Sequence, residues 1–219
     1  MTPLTPILQT ISITSSLLAA GGIATLSLFD VPILQAQPAS RSLPSIRWLF
    51  SRGSHIFPTA GSLSCAGFIL LAYQSIPATS RTLFQLAKLT SNGPKVSGYL
   101  LAAVLSISIA PITGRMIPAN FELIKMNESK GGARSADSAK ADSGFKPGQR
   151  SAEDSVAGKG EGAEFRDLSG PLRKTPEDTS EAEDRKVRQL LSKFSKLNML
   201  RATVIGLGGV VGLFTALAL

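Results

Sequence analysis

The chain is poor in the residues on which most enzymes depend: its 219 residues include one cysteine, one histidine and one tryptophan. A single Cys65 excludes an internal disulfide and the Cys-x-x-Cys pair of thiol-redox membrane enzymes. Lying between Ser64 and Gly67, it reads as a small packing residue. The lone His55 excludes haem held by paired histidines and any multi-histidine iron site. Charge is missing from whole stretches: residues 1–29, 53–80, 96–114 and 202–219 contain no Asp, Glu, Lys or Arg. As helices rising about 1.5 Å per residue, each can cross a hydrocarbon core of about 30 Å. Without Asp, Glu or Lys in the span cores, an ion-coupled transporter is disfavoured.

The predicted architecture is an all-α membrane protein, with four transmembrane helices in an antiparallel bundle. The span cores are placed at 7–29, 57–78, 96–116 and 199–218. Residues 1–29 do not read as a secretory leader, because no basic residue precedes Arg41 and the apolar run is too long. Asp30 and Pro32 are expected to stop the first span, and Pro111 to interrupt the third. A short loop with Asn92-Gly93-Pro94 as its turn joins the second and third spans.

Three regions follow. Residues 1–127 carry the first three spans, 128–181 form a polar insert, and 182–219 complete the bundle. The insert has only Phe145 and Phe165 as aromatics and is expected to be disordered, because it has little apolar surface to bury. Order returns at a capping-box pattern, Ser180 with Glu183. Val187, Leu190, Leu191, Phe194 and Leu197 then recur at helical spacing opposite Arg185, Lys186, Arg188, Lys193 and Lys196. That is a basic amphipathic helix, expected to lie on the membrane face before the last span. In that span Gly206, Gly208, Gly209 and Gly212 imitate a dinucleotide fingerprint, but no strand precedes them and too few residues follow. Gly208 and Gly212 read instead as a Gly-x-x-x-Gly face that could pair helices or copies of the chain.

The formal net charge is +8. Residues 119–201 are nevertheless nearly neutral, and the excess sits beside the spans at Arg41, Arg47, Arg52, Arg81, Lys88 and Lys95. This suits lipid headgroups and a cytosolic long loop rather than nucleic acid. With antiparallel spans, Arg47, Trp48, His55, Arg115, Asn120, Asn198 and Arg201 all fall at one mouth of the bundle. Trp48 fits a membrane-belt anchor. His55 alone has an unperturbed pKa near neutrality.

Three pieces resemble the anthrone oxygenase-like family of membrane proteins. Trp48 followed by Gly53 and Pro58 resembles the family's entry to its second helix. Ala110-Pro111-Ile112-Thr113, with Met116, Pro118, Asn120 and Leu123, resembles its third-helix end; Leu197-Asn198 with Arg201-Ala202 resembles the entry to its last. Phe50 stands where the family has a tyrosine, and Phe194 where tryptophan is common. The resemblance implies oxygenation of an anthrone-type aromatic polyketide to an anthraquinone by dioxygen in secondary metabolism, with no cofactor. The chemistry needs a base, a positive group for the enolate oxygen and an apolar slot. His55, Arg47 or Arg201, and Trp48 with Phe57 are the candidates, with Asn120 and Asn198 as further substrate contacts. An endomembrane such as the endoplasmic reticulum is the expected location. A noncatalytic four-span scaffold or lipid-interacting module is the other reading.

Overall fold

The computed structural model describes residues 4–87, 93–141, 146–159 and 167–218. Lys88, Asn92, Phe145 and Phe165 therefore lie outside the described residues. Among those described, every regular element is helical. Helix α1 (Leu4–Thr25) runs through a π-turn (Leu26–Asp30) into α2 (Val31–Gln35). Then come α3 (Ala39–Ser75), the short α4 (Leu83–Leu86), α5 (Pro94–Ile107) and α6 (Ile109–Ser129). Two short helices, α7 (Ala136–Lys140) and α8 (Ala152–Val156), precede the long α9 (Glu181–Leu217). Four segments, Leu4–Gln35, Ala39–Ser75, Pro94–Ser129 and Glu181–Leu217, are long and apolar enough to cross a membrane.

The helices outrun the uncharged blocks. Asp30 and Pro32 do not end the first span; they sit in and just after the π-turn, whose extra residue accommodates a ring that lacks an N–H. The expected polar connection before residue 57 is also helical from Ala39, because Ala39, Leu43, Ile46 and Phe50 recur at helical spacing. Helix α5 ends at Ile107, so Pro111 falls in the first turn of α6, where its missing donor costs nothing. At about 1.5 Å per residue, 37-residue helices such as α3 and α9 are roughly 55 Å long, nearly twice a hydrocarbon core.

The chain forms two compact units. The first comprises Met1–Ala24, Ile56–Gly114 and Asn198–Leu219. Its contacts fix an antiparallel register. Thr5 bonds to Gln74 while Ser12 touches Gly67 further along. Gly61 meets α5 at Ser106, and Phe68 stacks with Tyr99. Gly98 faces Thr215, whereas Gly208 faces Ser106 and Ala102. Asn198 bonds to Ile23, and Ser16 to Ile205. Small residues bring these backbones together, as expected where lipid removes the hydrophobic drive between helices. Gly208 and Gly212 are part of this packing, against α5 and Phe68, so this face is occupied within the chain. Outward lie large apolar side chains such as Leu18, Leu101, Val104 and Phe214.

The second unit comprises Thr25–His55 and Arg115–Leu197. Its core joins Val31, Leu34, Leu43, Ile46, Met116, Leu123, Val187, Leu191 and Phe194. The apolar face of the first half of α9 is thus buried in protein rather than laid on a membrane, and that half is continuous with the last span. The capping box forms: Ser180 N–H donates to Glu183 Oε2 at 2.7 Å, and Glu183 N–H to Ser180 Oγ at 3.3 Å. Lys130 Nζ pairs with the same carboxylate at 2.9 Å. In this core the rings of Phe50 and Phe194 lie 5.2 Å apart and are tilted by 59°.

The described parts of the insert differ from the expectation of disorder. They bury Glu128, Arg134, Ser135, Ser138, Arg150, Ser155 and Thr175. Polar bonding supplies what apolar area does not: Thr175 N–H donates to the Ser40 carbonyl at 2.7 Å, and Ser135 and Ser151 cap α7 and α8.

A Cβ on Gly67 would collide with the Ser12 hydroxyl, whereas one on Gly21 meets nothing within 4 Å. Gly67→Ala is expected to cost about 1–3 kcal/mol through overpacking. Gly21→Ala should be neutral or stabilising by up to about 1 kcal/mol. Thermal unfolding of the two variants in detergent checks the contrast.

Candidate functional site

Three of the seven candidate residues come together in the first unit. Asn198 is fully buried on α9, and its amide Nδ2 donates to the Ile23 carbonyl of α1 at 2.9 Å. One turn on, Arg201 is 7% exposed and its Nη1 donates to Asn198 Oδ1 at 3.1 Å. The asparagine uses both ends of its amide, one to tie α9 to α1 and the other to hold the guanidinium. Around them Ala19, Ile23, Ile109, Ala202 and Ile205 form an apolar cluster, and Phe57 packs against it with its ring on Gly22. A fixed positive charge among apolar side chains is strongly attractive to an anion, because little water screens it.

The other four belong to the second unit. Arg47, 3% exposed on α3, donates through Nη2 to the Ser155 carbonyl at 2.8 Å and through Nε and Nη2 to the Ser155 hydroxyl at 3.2 and 3.1 Å. Ser155 Oγ in turn donates to Glu128 Oε1 at 2.6 Å, and Glu128 accepts from Nε and Nη2 of Arg150 at 2.9 and 3.0 Å. Arg47 is therefore the end of a buried chain that clamps α8 and the end of α6 onto α3.

Trp48 is half-buried, and its indole N–H donates to the Ser169 carbonyl at 2.8 Å. The Arg52 guanidinium lies 5.5 Å from the centre of the same ring and also donates to the Asp167 carbonyl. Burial pushes the Asp167 carboxyl up, but hydrogen bonds from the Ser135 hydroxyl and from the hydroxyl and N–H of Ser169, with Arg52 nearby, outweigh it and hold the group at about 2. His55 is exposed on α3. Asn120 is half-buried on α6, with its Oδ1 out of reach of water and accepting no hydrogen bond.

Sequence reasoning missed Glu128, Ser155, Arg150, Asp167 and Ser169, all in a stretch without periodicity. The bonds that tie them to α3 and α6 join residues 22 to 121 apart, a separation that no spacing rule detects. Two cavities in this unit, of about 510 and 460 Å³, are lined by none of the seven candidates. Among the described residues, no three His, Cys, Asp or Glu side chains gather as a metal centre would require.

Fold and site together define a four-span helical membrane protein whose buried arginines are held by asparagine, serine and glutamate. The sequence profile of the anthrone oxygenase family matches residues 47–211, which include all seven candidates, and the chain belongs to that family. No curated protein and no solved structure matches the chain.

The buried chain from Arg47 to Arg150 predicts its own cost of rupture. Glu128→Ala removes the carboxylate that pairs with Arg150 and accepts from Ser155 Oγ, and should destabilise the protein by about 3–5 kcal/mol, read as a fall in thermal unfolding temperature. Asp167 generates an acid limb. A carboxyl at about 2 in the folded chain, against about 3.9 when unfolded, contributes stability that is complete above roughly pH 4 and is lost as pH falls towards 2. Asp167→Asn should flatten that part of a stability-against-pH curve.

Proposed function

We propose that the protein oxidises an anthrone-type aromatic polyketide to the anthraquinone with dioxygen, in secondary metabolism. Family membership supports the reaction class. The observation that carries it on this chain is Arg201, fixed by Asn198 among apolar side chains beside Phe57. The methylene opposite an anthrone carbonyl is acidic because its loss of a proton gives an aromatic enolate. The enolate passes one electron to dioxygen, the radical pair couples to a carbon-bound hydroperoxide, and loss of water leaves the second carbonyl. One oxygen atom enters the product and the other leaves in water, so no further reductant is needed.

In this reading Arg201 meets the developing charge on the enolate oxygen, where a preorganised donor in apolar surroundings acts most strongly. The base is assigned to His55, the one imidazole in the chain, which is exposed on α3. Phe57, packed against the same apolar cluster, supplies aromatic contact beside Arg201. Arg47 is a positioning residue, because its donors are spent on Ser155.

Protein purified in detergent and given an anthrone in air should form anthraquinone faster than the spontaneous background. His55→Ala is expected to lower the rate about 10² to 10⁴-fold, and Arg201→Gln about 10² to 10³-fold, as for loss of an oxyanion donor. Wild-type protein no faster than background across several anthrones would overturn the oxygenase reading in favour of a noncatalytic membrane module. Full activity in His55→Ala would overturn only the role of that side chain.

A further inference from the structure

The second unit carries an amphipathic face that its core leaves uncovered. Ser27 Oγ donates to the Ser195 carbonyl at 3.1 Å, Ser195 Oγ returns a bond to the Ser27 carbonyl at 3.3 Å, and Gln35 Nε2 donates to the Arg188 carbonyl at 2.9 Å. These three bonds lay the π-turn and α2 alongside residues 188–195 of α9. The outer side of that segment is a ridge of large apolar side chains, Leu28, Phe29 and Ile33, which are 57, 62 and 59% exposed. Beside the ridge, α9 presents exposed cations. At 100° per residue Arg188, Arg185 and Lys196 lie within about 100° of Ser195, the residue that faces the ridge. Three acidic groups share this side: Asp30 is half-buried on the ridge segment, Asp184 is half-buried and accepts from Ala39 N–H and the Thr179 hydroxyl, both at 2.8 Å, and Glu181 pairs with Arg185 at 3.6 Å.

An apolar ridge flanked by cations is the signature of a surface that lies in a bilayer interface, with hydrocarbon below and phosphate at its edge. Chain continuity points to the same partner. The ridge is the last part of the membrane-crossing segment Leu4–Gln35, whose 32 residues measure roughly 48 Å and outrun a hydrocarbon core of about 30 Å. Lys196 is three residues from Met199, where α9 begins its long apolar run, and basic side chains beside a span are drawn to anionic lipid.

We propose that this face binds the phosphate groups of anionic phospholipids at the bilayer surface. Arg188 and Lys196 engage the headgroup, Arg185 reinforces them, and Leu28, Phe29 and Ile33 dip below it. The inference rests on the face alone and is independent of the oxygenase reading.

The test uses the full chain in a nonionic detergent, titrated separately with phosphatidylserine, phosphatidylcholine and soluble glycerophosphoserine. Lipid phosphorus retained after gel filtration and the thermal unfolding temperature are the readouts. Wild-type protein should retain and be stabilised by phosphatidylserine, not by the other two. The Arg188→Gln/Lys196→Gln double variant should bind it about tenfold or more weakly, Phe29→Ser should also bind it more weakly, and Lys125→Gln, an exposed cation off this face, should match wild type.

Equal retention by the double variant, equal binding of phosphatidylcholine, or binding of glycerophosphoserine would overturn the proposal, the last by showing a free-anion site instead of a membrane contact. If the double variant fails to fold, the charge-retaining Arg188→Lys/Lys196→Arg pair should keep binding, and ionic strength of about 0.5 M should release the lipid from wild type. Salt-insensitive retention would equally overturn it.

Discussion

A guanidinium leaves water only if acceptors are already in place around it, and both units are built to meet that requirement. In the first, a fully buried asparagine amide supplies an acceptor to Arg201 while its other end is anchored on the Ile23 carbonyl. In the second, a serine on a five-residue helix supplies the acceptors to Arg47, and a buried glutamate completes the chain to Arg150. The two solutions differ in their consequence. The amide around Arg201 is local, three residues away on one helix, and the surroundings are apolar. The acceptors around Arg47 come from far along the chain, so that charge is committed to holding structure together.

The insert takes its meaning from the same requirement. Its composition lacks the apolar area that drives folding. Its backbone carbonyls, with the Ser155 hydroxyl, instead accept from cations and indole on α3, groups that would otherwise be stranded when α3 is extended as a single helix. A segment with little core of its own is thus ordered by polar groups of its neighbour.

Much of the fold was legible from charge alone, because a run without Asp, Glu, Lys or Arg has few alternatives to a membrane-crossing helix. The ends of the helices were not. Pro32 and Asp30 are breakers by local rules, yet a π-turn carries the chain past them, and the helical spacing of Ala39, Leu43 and Ile46 was hidden by arginines and prolines on the other faces. Sidedness placed Asn198 and Arg201 at one mouth, and in the structure the two are bonded, with Phe57 packed against the apolar cluster around them. It could not separate Arg47 from Arg201, since both precede or begin a span; only their partners distinguish a clamped charge from one set among apolar groups. Phe50 and Phe194 pack ring on ring, and neither needs a hydrogen-bond partner there.

Trp48 is the one indole in the chain, and it sits where α3 meets the insert, with its N–H on the Ser169 carbonyl and the Arg52 guanidinium over its ring. Its emission is therefore a single-site optical reporter of that contact. Undocking of residues 167–169 would expose the ring to water and release its N–H from the Ser169 carbonyl, so the protein carries a spectroscopic gauge of its own least apolar region without any label.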